Sequence, residues 1–369
     1  MHIVAVTTSH RGDDARIVHR QTRSLLAAGH QVTLIAPEPG DARASDPEGL
    51  VRQVVPRATG RHRLGAWRAA RRAVREMSRD ADVIVVHDLE LVPVVTMLMR
   101  TDAVMVWDVH EDYRAMAREA VWIPAPARLI AMGVVATVEW WATKTCRLTL
   151  AERGYSVRFP GAPVVPNTTW VGDEPATVAS NAPVVYVGRI SHDRGATEMI
   201  ALGDELRERG GPTVVVIGPA DGECDTMMRD AHRRGAIDWR GPLPNPEAMD
   251  VVRGALVGLS LLRDTPNYRV SRPTKILEYL AAGVPTISTP LPQAAEVIDK
   301  SGSGTITQVW EGDQLVDEVA TAVMAYSSSP DRRRAESVNG WTYVRDHESW
   351  NIDGPRFVAT LEGFVNDAR

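Results

Sequence analysis

The chain has 369 residues, 44% of them apolar and 24% charged, with a formal net charge of −5. This is ordinary globular composition, long enough for two domains, and it excludes a mainly disordered chain, a fibrous repeat and a generally basic polyanion binder. Two cysteines, Cys146 and Cys224, cannot staple a core of this size, so packing must hold the fold and a reducing compartment is expected.

In chain order, Ile3–Thr7 is a short apolar run of buried-strand type. The SHRGDD segment after it reads as a turn in which Asp13 or Asp14 caps a helix. Ala15–Ala28 carries helical periodicity through Ile17, Leu25 and Leu26, and Gly29 ends it. Gln31–Pro37, Asp82–His87 and Val104–His110 repeat the strand pattern with helices between them. That rhythm predicts a parallel sheet with right-handed crossovers.

Charge is uneven. Arg52–Arg79 holds nine arginines and one glutamate, a local +8 that leaves −13 for the rest of the chain. Helical spacing puts Trp67, Ala70, Val74 and Met77 on one face and Arg68, Arg72, Arg75 and Arg79 on another. A solvated surface helix would account for this. Anionic lipid headgroups or a phosphorylated acceptor would use the arginines, whereas nucleic acid would call for interleaved aromatic residues that are missing. Val121–Trp141 is strongly apolar. Its uncharged part, Leu129–Val138, is about half of what a bilayer requires and reads as a core helix. Met1 leads into an apolar run without a basic segment, so no secretory signal is expected. A cytoplasmic protein is anticipated, with peripheral attachment at the inner membrane face left open.

A second series begins after the PVVPN segment Pro163–Asn167 and the polar stretch to Ala182. Val184–Val187, Thr213–Gly218, Asp238–Gly241, Val257–Leu262 and Pro285–Ser288 read as strands. A helix runs from about Ala196 to Arg209, and the chain beyond Pro330 is helical; pattern alone does not say on which domain that last segment packs. Both halves therefore read as doubly wound α/β domains joined near residues 166–182. Ligands bind such sheets beyond the strand C-termini, and two such edges would face each other across a cleft.

Two segments carry the strongest chemistry. In SRPTKILEYLAAG (Ser271–Gly283), Pro273 or Thr274 opens a helix whose free N–H groups suit phosphate. Lys275 sits in the first turn, where a cation opposes the helix dipole unless an anion is bound. It is one of only three lysines, beside Lys144 and Lys300, in a chain that otherwise uses arginine. Glu278, one turn further in, has the chemistry to accept hydrogen bonds from a ribose diol, or is an ordinary helix carboxylate. In GRISHDRG, Gly188 opens a strand-to-helix turn whose Arg189 and Arg194 make a fork suited to a diphosphate. The first half adds Gly12, small enough to admit a ligand to the backbone, and His110 at a strand end, a polar contact or proton relay. His87 and Asp88 form a weaker pair of the same kind. No CxxC, HExxH or phosphate-loop motif suggests a metal or P-loop site.

The ordered set RGDDARI, LLAAGHQVTLIAP, DVIVVHDLELVP, VWDVHEDY, VVPN, VYVGRISHDRG and PTKILEYLAAGVPTIST resembles the retaining glycosyltransferases of family 4. The resemblance implies a GT-B fold of two Rossmann-like domains. Residues 1–168 would bind acceptor and residues 169–349 the nucleotide-sugar donor, with the helix of about 350–369 returning to the first. It implies that Gly188, Arg189 and Arg194 bind the donor diphosphate with Lys275, that Glu278 lies near the ribose, Gly12 near the diphosphate and His110 near the donor sugar. His110, Arg189 and Lys275 are then the expected catalytic residues. Asp13, Asp108, Gly218 and Thr274, at the same strand ends and helix start, complete the donor-site candidates. Two positions depart from the family. Arg194 stands where lysine is common, and Val270 stands where a sugar-facing glutamate is common, so that carboxylate is missing or replaced by backbone N–H groups near Arg272–Lys275. The implied reaction is metal-independent sugar transfer with retention to an acceptor hydroxyl on an envelope or lipid-linked glycan or a secondary metabolite. A nucleotide-sugar epimerase and a non-catalytic nucleotide-sugar-binding GT-B protein are the alternatives.

Overall fold

The computed structural model describes residues 1–40, 46–97, 102–119, 124–178 and 182–368. They divide into two compact units: residues 1–167 with 352–369, and residues 168–351.

Unit 1 is built on a six-stranded parallel sheet. Its strands are β1 (His2–Val6), β2 (Gln31–Ala36), β3 (Leu50–Val54), β4 (Val83–Val86), β5 (Val104–Val109) and β6 (Arg147–Leu150), in spatial order β3-β2-β1-β4-β5-β6. β1 lies centrally, pairing Ile3 with both Val32 and Val83. Val4, Val6, Ile84, Val86 and Trp107 pack one face into the main core, while Ala5, Ile17 and Leu34 fill the other. Continuous apolar strands of this kind are what a sheet buried on both faces requires.

Unit 2 repeats the plan with β7 (Val184–Val187), β8 (Val214–Ile217), β9 (Asp238–Trp239), β10 (Val257–Ser260), β11 (Thr286–Ser288) and β12 (Thr305–Ile306), ordered β12-β11-β10-β7-β8-β9. Val184, Tyr186, Val214, Val216, Val257 and Leu259 make its core with Met199, Leu202 and Leu206 of the helix Ala196–Glu208.

Three strands escape the reading of the sequence: β3, β6 and β12. All three are sheet edges. An edge strand is covered less fully, and LVRQV, RLTL and TI carry no continuous apolar run. A second correction concerns Leu129–Val138. The helix Ala125–Thr145 does form, but Leu129, Ile130 and Val134 are exposed rather than core. Only its inner side, through Val135, Val138 and Ala142, joins the hydrophobic cluster. Val121–Ile123 of the same apolar stretch and residues 179–181 of the polar join lie outside the described residues. The final segment forms two helices, Pro330–His347 and Trp350–Asn366. The second of them belongs mostly to unit 1, where Arg147 lies over the Phe364 ring.

Candidate active site

In each sheet two central strands send their crossovers to opposite sides, and the chain leaves a gap there beyond the strand C-termini. In unit 1 that switch point lies between β1 and β4. Asp108, near the end of β5, is its buried centre. Its Oδ1 accepts from Arg16 Nη2 at 2.8 Å and Thr149 Oγ1 at 2.8 Å. Its Oδ2 accepts from Arg16 Nε and Gln21 Nε2, each at 2.9 Å. The bidentate Arg16 fork neutralises the carboxylate. Burial alone would raise the Asp108 pKa, but the guanidinium outweighs it and holds the acid well below its ordinary range.

Two histidines lie against this anion, and a third, His10, meets one of them. His87 Nδ1 lies 3.3 Å from Asp108 Oδ2 and His110 Nδ1 3.4 Å from it. Burial pushes both toward the neutral form. At His87 burial wins and the pKa falls; at His110 the Asp108 carboxylate wins and the pKa rises. His110 Nε2 meets His10 Nε2 at 2.8 Å, so one nitrogen carries the hydrogen and the other accepts it. His87, Asp108 and His110 are close enough to hold a metal ion. The donor set suits hydrogen bonding better, since both oxygens of Asp108 already accept bonds and an arginine sits against them.

Asp88 organises the turn before His10. It accepts from Thr7 Oγ1 at 2.9 Å, from Thr8 N at 2.5 Å and from Ser9 N at 3.0 Å. Asp14, rather than Asp13, caps the next helix by accepting from Arg16 N and Ile17 N at 2.9 and 3.0 Å. Gly12 is close-packed within unit 1: a Cβ there would stand 2.2 Å from Pro37 O. The chain's own backbone therefore requires this glycine.

In unit 2 the switch point lies between β10 and β7. The helix Thr274–Ala281 opens there without a side-chain cap. It is fixed by Tyr279, which accepts a hydrogen bond from Val187 N at 2.9 Å and fills the space that a Cβ on Gly258 would occupy. This fixes Lys275, whose ammonium lies 5.0 Å from the centroid of the Tyr186 ring. Gly188 makes room for it, since a Cβ there would lie 2.6 Å from Lys275 Cε, and its φ of 141° is open only to glycine at low cost. Gly218 is needed for the same turn, because its Cβ would collide with Gly188 O at 2.0 Å.

Arg194 donates to Tyr268 Oη at 3.3 Å and shares this environment with Lys275. Burial, aided by the Arg194 charge and opposed by Glu278, lowers the Lys275 pKa to about 8. Among the described residues no carboxylate forms an ion pair with Lys275 or Arg194. Arg189 goes elsewhere: its guanidinium is 64% exposed and ion-paired with Asp221. Val270 ends the short helix Pro266–Val270, whose neighbouring acid, Asp264, is held by Arg269. The structure thus groups Gly188, Arg194, Gly218, Thr274, Lys275 and Glu278 in unit 2, and Asp108 and His110 in unit 1. A cavity of about 770 Å³ opens beside β8 and β9, walled by Trp239 and Arg229, and none of these residues lines it.

Sequence reasoning did not find Arg16, Gln21, His10, Tyr186 or Tyr268. His10 carried a usable signal, since it follows β1 at the strand end where ligands gather. Arg16 carried none in a chain this rich in arginine.

Two family models match the chain. One, described as Glycosyltransferase Family 4, covers residues 15–155; the other, Glycosyl transferases group 1, covers residues 182–326. A putative teichuronic acid biosynthesis glycosyltransferase of Bacillus subtilis (strain 168), TuaH, is 24% identical over 139 residues, 38% of this chain and 33% of that protein. The matching region thus spans about a third of that relative's length. Among solved structures, WaaG, a glycosyltransferase involved in lipopolysaccharide biosynthesis, superposes with a TM-score of 0.66 at 14% identity, covering 97% of this chain and 98% of its own. HepE of Anabaena, solved with UDP and glucose, gives a TM-score of 0.68 at 12% identity, covering 98% and 100%. The fold is GT-B.

Proposed function

We propose that this chain, whose two halves carry glycosyltransferase family 4 and group 1 domains on a GT-B frame, transfers a sugar from a nucleoside-diphosphate sugar to an acceptor hydroxyl. The observation that carries this reading is the pair Lys275 and Arg194. Two cations are drawn together at a sheet switch point, burial lowers the pKa of one, and among the described residues no ion pair with a carboxylate relieves either. An arrangement of this kind is unfavourable until an anion arrives. HepE was solved in complex with UDP-glucose, and a nucleoside diphosphate is the matching anion here.

As the anomeric C–O bond breaks, its electron pair moves onto the diphosphate. Lys275, Arg194 and the uncapped start of the helix Thr274–Ala281 would meet that growing charge without reorganising. Fixed cations in this role make a divalent metal unnecessary, so the proposed reaction is metal-independent. His110, buttressed by Asp108 and touching His10, supplies a polar contact on the sugar and a site for proton movement at Nε2. The anomeric configuration is retained. TuaH and WaaG are described as acting in teichuronic acid and lipopolysaccharide biosynthesis, which favours an envelope glycan as acceptor over a secondary metabolite.

The test is to incubate the purified protein with uridine, guanosine, adenosine and thymidine diphosphate sugars and acceptor glycans, with a chelator present. Free nucleotide would be followed by chromatography and the product anomer by NMR. Release of nucleotide with a retained anomer is expected. Isomerisation of the sugar without nucleotide release, or thermal protection without any chemistry, would refute the transfer reading.

A further inference from the structure

Unit 1 has a helical layer whose outer surface is unlike the rest of the molecule. Helices Arg63–Met77, Leu91–Thr96 and Ala125–Thr145 all feed one hydrophobic cluster on the same face of the sheet. The short middle helix packs against both others. Trp141 ties the layer together by donating to Thr96 Oγ1 at 2.9 Å.

On the outer side of Ala125–Thr145, Leu129, Ile130, Val134 and Trp140 are 72, 71, 57 and 60% exposed. At about 100° per residue they fall within one stripe of the helix. Met116 on the adjoining helix Tyr113–Glu119 is 54% exposed as well. Single exposed apolar residues are ordinary, whereas a contiguous group marks a surface that something covers.

On the outer side of Arg63–Met77 and just beyond it, Arg68, Arg72, Arg75 and Arg79 are exposed, while Ala70 and Val74 face the core. Among the described residues these four arginines make no ion pair or hydrogen bond. Several exposed arginines elsewhere are matched, Arg207 with Asp204, Arg229 with Asp225, Arg253 with Asp250 and Arg269 with Asp264, while Arg11, Arg23, Arg153 and Arg334 stand singly without such a partner among the described residues. What distinguishes the four is their clustering along one side of a single helix and just past its end.

We propose that this layer docks on an anionic lipid bilayer. The apolar stripe would enter the boundary between headgroups and acyl chains, with Trp140 at headgroup depth, and the arginines would lie along lipid phosphates. Charge favours this occupant. The stretch that holds the arginines is +8 within a chain of net charge −5, so its sign is opposite to that of the remaining chain and complements an anionic surface. A second copy is a poorer fit, because a two-fold interface on this layer would set one arginine cluster against another. The inference concerns unit 1 alone and stands apart from the donor chemistry of unit 2.

Vesicle flotation with the full chain tests it, using phosphatidylcholine vesicles and mixed phosphatidylcholine–phosphatidylglycerol vesicles at low and high salt. The protein should float with the mixed vesicles, and much less with neutral ones or at high salt. Each exposed arginine removed should weaken partitioning about fivefold, so Arg68→Gln/Arg72→Gln should lose about 25-fold. Leu129→Ser/Ile130→Ser should also lose binding, and thermal melting should show both variants folded. The proposal fails if the wild-type chain does not float with anionic vesicles, or if folded Arg68→Gln/Arg72→Gln floats as well as wild type. It also fails if Leu129→Ser/Ile130→Ser abolishes a dimer seen by light scattering without changing flotation.

Discussion

The two units place opposite charges at the C-terminal ends of their strands. Beyond β5 the centre is a carboxylate, Asp108, whose oxygens are filled by Arg16, Gln21 and Thr149. Beside β7 and β10 the centre is a lysine, Lys275, whose neighbours are a tyrosine ring and a second cation. The first constellation supplies its anion's counter-charge from within, through Arg16, and its remaining freedom is the proton at the His110–His10 contact. The second brings two cations together with no carboxylate ion pair to either among the described residues, and in the proposed reaction its counter-charge comes from the bound diphosphate. The two clusters are thus told apart by where the counter-charge comes from.

The sharpest way to break this contrast is to remove one counter-charge. Asp108→Asn leaves the buried Arg16 unpaired and should cost about 3–5 kcal/mol in denaturant unfolding. Lys275→Ala breaks no carboxylate ion pair among the described residues, only the contact with the Tyr186 ring, and should move that unfolding curve far less. It should instead cut sugar transfer by about 10²–10³-fold, measured as nucleotide release. Arg189→Ala sharpens the same comparison. With its guanidinium exposed and held by Asp221, it should cost less than about tenfold, and a loss as large as that of Lys275→Ala would mean that Arg189 leaves Asp221 for the donor.

His110→Gln should lower transfer by about 10²-fold while nucleotide affinity, measured by calorimetry, stays near wild type. The same variant probes pH. Because the folded pKa of His110 is raised above 6.5, its contribution to stability is full below that value and is lost as pH climbs through the raised one. Melting curves of wild type and variant should therefore differ most in acid and converge toward higher pH. Smallest in size is a proton count. With the Lys275 pKa at about 8, a diphosphate bound at pH 8 should draw up to about half a proton onto the amine, seen as a buffer-dependent binding enthalpy that Lys275→Met abolishes.

How much of this was legible follows the burial of each element. The eight interior strands announce themselves because both faces are covered and most of their sequence is apolar, and of the four edges only β9 is read, from Asp238–Gly241. The edges β3, β6 and β12 are half-covered and read as nothing in particular. The site residues divide similarly. Lys275 stood out through its rarity and its place in a helix's first turn, and Gly188 and Arg194 through the turn after a strand. Asp108 and His110 were visible as a polar group at a strand end. Arg16 and Gln21, which complete Asp108, come from a helix some ninety residues away and share no local pattern with it.

The amino-acid order by itself determined the alternation of strand and helix, the two-domain plan and the helix starts and turns that carry the candidate site residues, because those depend on neighbours within a few residues. Only the tertiary structure decided which cations converge and which, like Arg189, are claimed by a surface acid. It alone decided that Leu129, Ile130 and Val134 face outward, and that the helix Trp350–Asn366 packs chiefly in unit 1. Periodicity records that a helix has an apolar side, whereas the question of what covers that side is answered by residues far away in the chain.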